Sequence, residues 1–312
     1  MRRFIIRRLI YSVVAIFGIT FTVFALSRLA GDPRAMLFGD SPYGMRREAW
    51  EALADKYHLD KPIPVQYGYW LLDIARGDFG TDLSDGVAVS KKIGQKIPAT
   101  LRLGIAAWVV ATLVGVPLGI LSAVKRNTVW DYLGRTFALF GQALPPFYIG
   151  IMAILIFSVQ FQWFPVAGLG SGALAWKNYI LPVATLSWLA AASYVRLTRS
   201  AMLEVLDSEF IKMARAKGVS SRAVVWKHAL RNSLIVPITL SGLLLANFVT
   251  GTVVVETVFA WPGLGRLAVD AVNNNNLNVI VGTTLVFGLI FIAANFVVDL
   301  SYVFIDPRIR LN

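Results

Sequence analysis

The chain of 312 residues has 30 Lys and Arg, 18 Asp and Glu, and no cysteine, and 56% of its residues are hydrophobic. Only 15% are charged, against about 25% in a soluble domain, and a soluble monomer of this length could not bury so much apolar surface. The lack of cysteine excludes disulfides, thiolate nucleophiles and cysteine-based metal sites. His58 and His228 stand far apart without ligand spacing, so no metal site is predicted.

Six apolar stretches reach or approach the roughly 20 residues that a bilayer-crossing helix needs. They are Leu9–Leu26, Leu103–Val124, Phe137–Val159, Tyr179–Val195, Leu234–Val255 and Val279–Ile305. The fourth is short and carries Pro182 near its start. None alternates with the period of two that marks outer-membrane strands. The sequence therefore predicts an all-α membrane protein with six transmembrane helices.

The basic residues predict the orientation of these helices. Six spans put both termini on one side, and the tails and loops on that side carry nearly all of the net charge of +12. Basic loops face the cytoplasm. We expect a multi-pass protein of the bacterial inner membrane with both termini in the cytoplasm, the first helix being retained because its apolar run is longer than that of a cleaved signal. The membrane orientation then explains the positive net charge, and no nucleic-acid partner is predicted.

A long segment after the first helix is predicted to lie outside the cytoplasm. It divides the chain into 1–30, the tail and first helix; 31–98, the extracytoplasmic segment; and 99–312, a five-helix core. Helix-like stretches are expected at Met45–Tyr57 and Val65–Ala75. The aromatic residues of this segment give it enough apolar mass to fold as a cap, which is either a packed domain without a binding role or a docking surface.

The loop between the fourth and fifth spans is basic and has the pattern of two helices. Apolar residues at helical spacing predict an amphipathic helix over Ala201–Lys217, which Gly218 ends. Ser220 or Ser221 then caps a second short helix that runs through His228. Anionic lipid headgroups and a protein partner are comparable explanations for this surface.

Several motifs in order along the chain carry a resemblance to a known family. They are Gly77-Asp78-Phe79-Gly80, Ala214-Arg215-Ala216-Lys217-Gly218, His228-Ala229-Leu230-Arg231-Asn232, Glu256 to Gly265, and Asp306 to Arg310. Together they resemble the dipeptide/oligopeptide (and nickel) branch of bacterial ABC importer permeases. The chain departs from that pattern at Asn273–Asn278, where relatives often carry an Arg-Asp-Tyr-Pro-like stretch.

The resemblance implies a partnership and a coupling site. A second homologous permease pairs with the chain, two ATPase subunits that bind ATP and Mg dock on the cytoplasmic loops, and an extracytoplasmic binding protein delivers cargo. The chain itself is expected to bind no cofactor. The implied ATPase-coupling residues are Lys212, Met213, Ala214, Arg215, Ala216, Lys217, Gly218, His228 and Asn232.

Polar residues and prolines in or near the spans are candidates for the translocation path or gate, because unsatisfied polar groups are costly in lipid. They are Gln142, Pro145, Pro146, Asn247, Thr250, Glu256 and Asn295. Pro145-Pro146, flanked by Gly141 and Gly150, is the best hinge candidate. Glu256 is a candidate through the resemblance alone, and Trp261 fits an interfacial belt.

The sequence has no phosphate-binding Gly-x-x-x-x-Gly-Lys-Ser/Thr loop and no catalytic constellation, so we expect a permease and not an enzyme. Short peptides are the expected cargo. Nickel chelate, glutathione and opine-like cargo are alternatives within the class. A gradient-driven secondary transporter is the alternative of another class, but it should show inverted repeats, and no internal repeat is evident.

Overall fold

The computed structural model describes residues 2–29, 51, 54–55, 58–82 and 84–305. Within this part of the chain the regular structure is helical, and the β-type pairing consists of one isolated bridge between Thr81 and Ala88. Of the two helices expected in the extracytoplasmic segment, Ile63–Ala75 confirms the second. The first, Met45–Tyr57, lies largely outside the described residues.

The helices are numbered in chain order. The first six are α1 (Arg2–Leu29), α2 (Ile63–Ala75), α3 (Val89–Val124), α4 (Val129–Ala143), α5 (Pro146–Ala153, continued by a π-helix over Ile154–Gln160) and α6 (Lys177–Leu206), with a 3₁₀ turn at Gly172–Leu174 before α6. Next come α7 (Glu209–Ala216), α8 (Ser221–Ala223), a π-helix over Val224–Ala229, and α9 (Leu230–Ser233). The last four are α10 (Ile235–Thr250), α11 (Thr252–Val258), α12 (Leu264–Asn273) and α13 (Leu277–Ile305).

Four of these helical segments are long and apolar enough to cross a membrane, and up to six spans result if each of two bent pairs counts as one. The four straight candidates coincide with the predicted first, second, fourth and sixth spans. The fourth proves to be part of a helix of 30 residues, in which Pro182 occupies the second turn. The all-α membrane fold is therefore confirmed.

Two predicted spans are broken helices. The third bends by 106° between α4 and α5, where Leu144 and Pro145 take extended backbone conformations. Pro146 lacks an N–H donor and is tolerated at the start of a helix, so the Pro-Pro pair ends one helix and begins the next. The predicted fifth span, Leu234–Val255, is divided at Gly251 between α10 and α11, and a bend of 43° lies at its start, where the segment 221–233 meets α10.

The residues group into two compact units. The first comprises residues 1–99 and 262–296, and the second comprises residues 100–261 and 297–312. In the first unit the buried residues Val89, Ile93, Leu264, Val279 and Val286 form an apolar core between α3, α12 and α13. Tyr67 and Trp70 of α2 pack against Phe24 of α1 in the same unit, with ring centroids 5.4 Å and 5.5 Å from that of Phe24.

The second unit is built around α6, and small residues let neighbouring helices approach its backbone. A Cβ added to Gly115 of α3 would lie 2.5 Å from Tyr194 Cβ and 2.7 Å from the Ala191 carbonyl oxygen. One turn later, a Cβ on Gly119 would lie 2.7 Å from Thr198 Cβ. Gly141 of α4 approaches Ala192 of α6 in the same manner. Helices in lipid associate largely through such close packing, because lipid tails are as apolar as their side chains.

We predict that Gly115→Ala destabilises the protein by about 1–3 kcal/mol or more, because the new methyl group overlaps the α6 backbone. The matched control is Gly94→Ala in the same helix, where a Cβ would meet no atom within 4 Å. There alanine should be neutral, or stabilising by up to about 1 kcal/mol through helix propensity. Thermal unfolding of both variants in detergent measures the difference, and equal melting temperatures would contradict the packing argument.

Candidate functional site

The segment of residues 207–233 between α6 and α10, which we call the 207–233 loop, contains the predicted coupling residues. The expected single helix over Ala201–Lys217 is wrong: α6 ends at Leu206, and a separate helix, α7, begins at Glu209. Asp207 and Ser208 form the break, and the Ser208 hydroxyl donates to the Val205 carbonyl oxygen at 2.6 Å. A serine that bonds its own preceding turn competes with helix continuation.

The glycine predicted to end this helix does so. Gly218 has a φ of +79°, in the left-handed region that glycine adopts without strain. Its N–H bonds to the Arg215 carbonyl oxygen at 2.9 Å, and the Val219 N–H bonds to that of Ala214 at 3.1 Å. Ser220, one of the two predicted caps, accepts the N–H of Ala223. The second helical stretch runs past His228 to Ser233 in three pieces.

One buried side chain fixes α7 to the helices above it. Ile211 is fully buried in a cluster with Met202 of α6, Ala123 of α3, Val224 and Ala229. The Ser233 hydroxyl also donates to Met202 Sδ at 2.8 Å. The 207–233 loop is therefore packed onto the ends of α3 and α6 through an apolar core.

The outward side of α7 combines apolar and charged groups. Phe210 and Met213 are 42% and 60% exposed, and the nearby Trp226 is 59% exposed. Lys212 pairs with Glu209 at 2.7 Å, whereas Ala214 is half-buried and Arg215, Ala216, Lys217 and Gly218 are exposed. Trp226 was not among the predicted site residues, although a tryptophan inside a basic loop is visible in the sequence.

The other two predicted coupling residues lie on the second helical stretch. The Asn232 side chain donates to the His228 carbonyl oxygen at 2.7 Å, one turn earlier. His228 is half-buried and Asn232 exposed. The structure thus brings all nine predicted residues into one loop, and the Asn232 contact is a local helix bond.

Three of the predicted path residues line one cavity. Gln142 of α4, Pro146 of α5 and Asn247 of α10 surround a volume of 470 Å³ within the second unit. Ser193 of α6 also lines it and was missed by the sequence analysis; a serine among apolar residues is a weak signal because its hydroxyl can bond its own helix. The rest of the lining is mostly apolar, as is typical of a ligand pocket.

The remaining path candidates lie elsewhere. The Thr250 hydroxyl bonds to the Asn247 carbonyl oxygen at 3.3 Å, and the Asn295 side chain, in the first unit, bonds to that of Phe291 at 2.9 Å. Pro145 forms the bend and does not line the cavity. The hinge glycines of the prediction are tightly packed, since a Cβ on Gly150 would lie 3.2 Å from Phe259 Cε2.

The region of Glu256 and Trp261 is buried. Glu256 is fully buried, and Thr100 Oγ1 donates to its Oε1 at 2.6 Å. Trp261 is also fully buried, edge-on to Tyr179 with 4.6 Å between ring centroids. The expectation of an interfacial belt position for Trp261 is therefore wrong: its ring packs inside the second unit because Tyr179 at the start of α6 meets it there.

The Asn273–Asn278 stretch bonds to the turn at Thr81 and Asp82 in the first unit. Asn276 is buried, and its Nδ2 donates to Asp82 Oδ1 at 2.6 Å. Asn278 Nδ2 donates to the Thr81 carbonyl oxygen at 2.8 Å. Asn273, Asn274 and Asn275 are exposed. Two of the residues that depart from the family pattern, Asn276 and Asn278, therefore make hydrogen bonds that stabilise this turn.

Asp82 is the centre of this polar cluster. Burial raises the pKa of the Asp82 carboxyl, but hydrogen bonds from Lys92 and from the Ser84 N–H outweigh burial and hold that pKa below its usual value of 3.8. Lys92 also pairs with Asp85 at 2.6 Å. The carboxylate is therefore charged at neutral pH and fixes the turn to α3 and α13.

Metal-ligating residues do not gather in the part of the chain that the structure describes: no group of three or more His, Cys, Asp or Glu could hold a metal ion there. The candidate sites are thus a basic loop with exposed apolar side chains and a mostly apolar cavity with a few amide and hydroxyl groups.

Comparison with known proteins gives one family. Residues 115–311 match the family described as binding-protein-dependent transport system inner membrane component. Full-length relatives include the oligopeptide transport system permease protein AppB of Bacillus subtilis, 37% identical over 99% of this chain and 100% of that protein. The glutathione transport system permease protein GsiC of Salmonella typhimurium is 38% identical over 99% of both chains.

Solved structures share the fold at lower identity. An inward-facing structure of the MetNI methionine ABC transporter aligns with a TM-score of 0.56, at 17% identity, over 69% of this chain and 96% of that chain. A second crystal form of MetNI aligns with a TM-score of 0.51, at 20% identity, over 66% and 94%.

We predict that Asn276→Ala loosens the turn around Asp82, because a buried carboxylate loses a hydrogen-bond donor, which costs about 1–3 kcal/mol. Faster amide hydrogen exchange over residues 78–92 measures the loss. The control is Asn274→Ala, an exposed neighbour in the same stretch, which should leave exchange unchanged. Equal protection of these amides from exchange in both variants would show that the Asn276–Asp82 hydrogen bond does not stabilise the turn.

Proposed function

Because this chain belongs to the family of binding-protein-dependent transport system inner membrane components, we propose that it conducts short peptides inward in partnership with a second, homologous permease. The chain is the membrane permease of an ABC importer, and ATP hydrolysis belongs to separate subunits. Two such ATPase subunits, which bind ATP and Mg, dock on the cytoplasmic side, and a binding protein delivers cargo from outside.

The observation that carries the docking proposal is the construction of α7. Ile211 anchors one side of the helix in the apolar cluster, which leaves Phe210 and Met213 on the surface. A short helix with protruding apolar side chains fits a groove on a partner. Arg215, Lys217 and the basic residues that follow favour an acidic rim around that groove. Lys212 to Gly218, His228 and Asn232 are the proposed coupling residues.

The charge distribution supports the orientation that docking requires. The tails and loops on the side of both termini carry nearly all of the +12 net charge, and the 207–233 loop contributes six of their basic residues. Basic loops remain in the cytoplasm, where ATP is available. Both termini of this membrane protein are accordingly proposed to be cytoplasmic, with segment 31–98 on the outside.

The proposed cycle follows from these positions. Closure of the ATPase subunits pushes on the 207–233 loop and turns the spans from inward-facing to outward-facing. Cargo enters near Gly263, passes the cavity lined by Gln142, Pro146 and Asn247, and leaves when the spans reset. Amide groups in an otherwise apolar lining satisfy peptide groups that lipid would leave unpaired.

Short peptides are the cargo best supported by the relatives. AppB and the permease OppB of Salmonella typhimurium, 36% identical to this chain, are named for oligopeptide transport. Glutathione, itself a tripeptide, is the second candidate, because GsiC is 38% identical. Competition between unlabelled tripeptides and glutathione in an uptake assay with the cognate binding protein separates the two.

We predict that Gly218→Val and Ala214→Trp each weaken ATPase binding by about 2 kcal/mol or more, as truncated or blocked central interface positions do. Co-purification of the ATPase subunits with the permease pair measures the effect. The control is Gly86→Val, which meets the same positive-φ strain at a position with no atom within 4 Å of an added Cβ. Unaltered co-purification in the two loop variants would exclude the docking role.

We predict that Gln142→Leu and Asn247→Leu each lower peptide uptake about 2- to 10-fold, which corresponds to one lost hydrogen bond to passing cargo. ATPase assembly should be retained, because neither residue belongs to the 207–233 loop. Thr136→Val is the matched control, an exposed polar residue of α4 that does not line the cavity. The measurement is ATP-driven uptake into proteoliposomes, and a response to a proton or sodium gradient instead would favour a secondary carrier.

A further inference from the structure

An ion pair between a buried carboxylate and a half-buried arginine joins α3, α4 and α6. Asp131, in the first turn of α4, is completely buried. Arg199 of α6 donates to it through both Nε and Nη2, at 2.7 Å and 3.0 Å. The Ser122 hydroxyl at the end of α3 donates at 2.8 Å, and the Asn127 N–H donates at 3.0 Å. The carboxylate thus receives four hydrogen bonds from three parts of the chain.

Arg199 lies on the same helix as the residue that holds the 207–233 loop. Met202 follows it by three positions and is buried against Ile211 of α7, and residues three apart on a helix lie on one face. Arg199 is also about two turns from the end of α6 at Leu206. A displacement of α7 therefore reaches Arg199 through a short stretch of packed helix.

Asp131 continues the connection to the cavity. It lies on α4, the helix that carries Gln142 about three turns later. Gln142 lines both the 470 Å³ cavity and a second one of 320 Å³, which Arg199 also lines. Between its two ends α4 is a continuous helix of 15 residues, so a shift at Asp131 shifts Gln142.

Stability alone does not account for charges at this position. An apolar pair of similar volume often holds two buried segments as firmly as an ion pair does, or more firmly. The contact of Gly141 with Ala192 already packs α4 against α6. The ion pair adds a defined geometry between the two helices. A bidentate guanidinium–carboxylate contact fixes both the distance and the relative rotation of α4 and α6.

We propose that the Asp131–Arg199 pair is the positioning contact that transmits movement of the 207–233 loop to α4 and so to the cavity. This inference rests on the proposed function. It assigns to these two side chains control over the amount of cargo that is transported for each ATP hydrolysed.

The test removes both charges together, because removal of Arg199 alone leaves the buried Asp131 carboxylate without its charged partner. In Asp131→Leu with Arg199→Met, the complex should still assemble and hydrolyse ATP at the basal rate. Uptake per ATP hydrolysed should fall about 10-fold, within the range typical of coupling between sites. The matched control is Asp60→Asn with Lys61→Gln, which removes an exposed ion pair of 2.8 Å far from the 207–233 loop in sequence and should leave the ratio unchanged.

A second readout follows α4 directly. The chain has no cysteine, so Leu139→Cys, at a position on α4 that is 72% exposed, provides one label in this subunit. With the native pair, maleimide labelling of this cysteine should differ between ATP-bound and nucleotide-free complexes. In the doubly substituted protein that difference should disappear, although ATP still binds.

The outcomes separate the inference from the proposed function. If the doubly substituted complex keeps both the wild-type uptake ratio and the nucleotide-dependent labelling, the inference is wrong and the importer function stands. If the native complex neither takes up peptide with ATP nor changes its labelling, the proposed function fails and the inference with it. Arg199→Lys keeps both charges but loses the bidentate geometry; a normal ratio there, or loss of assembly in both variants, overturns the inference.

Discussion

The close approach of helix backbones to α6 is the constraint on which the second unit depends. Lipid provides no hydrophobic force between helices, so contact area must come from small residues. Gly115 and Gly119 of α3 lie one turn apart against α6, and Gly141 of α4 meets Ala192 on it. Because these contacts leave no space for a methyl group, a larger residue at any of these positions would force α3 or α4 away from α6.

The 207–233 loop that follows α6 is packed against the end of this helix. The helix is continuous through Leu206, and Ile211 of α7 is buried against Met202 near its end. A force on α7 therefore acts on a packed body and is not absorbed by a flexible connection. The break at Asp207 and Ser208 is compatible with this, since the buried cluster bridges the two sides of the break.

Much of the fold could be predicted from the sequence, since long apolar stretches and basic loops are local signals. Four predicted spans coincide with long apolar helices, and the third coincides with a bent pair of helices. The errors arose where local signals compete with tertiary contacts. Ala201–Lys217 has a continuous helical pattern, but Ser208 bonds its own preceding turn. Trp261 has the residue type of an interfacial belt, but Tyr179 buries its ring.

The sequence groups candidate-site residues only where they are neighbours along the chain. The nine proposed coupling residues lie within one loop, whereas the polar path candidates inside the spans were chosen for polarity. Polarity does not tell a cavity-lining Asn247 from Asn295, which bonds its own helix. The pattern of charges in the sequence gives no reason to single out Asp131 and Arg199. Their pairing across 68 positions has no local signature, and a buried carboxylate that needs four donors is recognisable only once three helix ends meet around it.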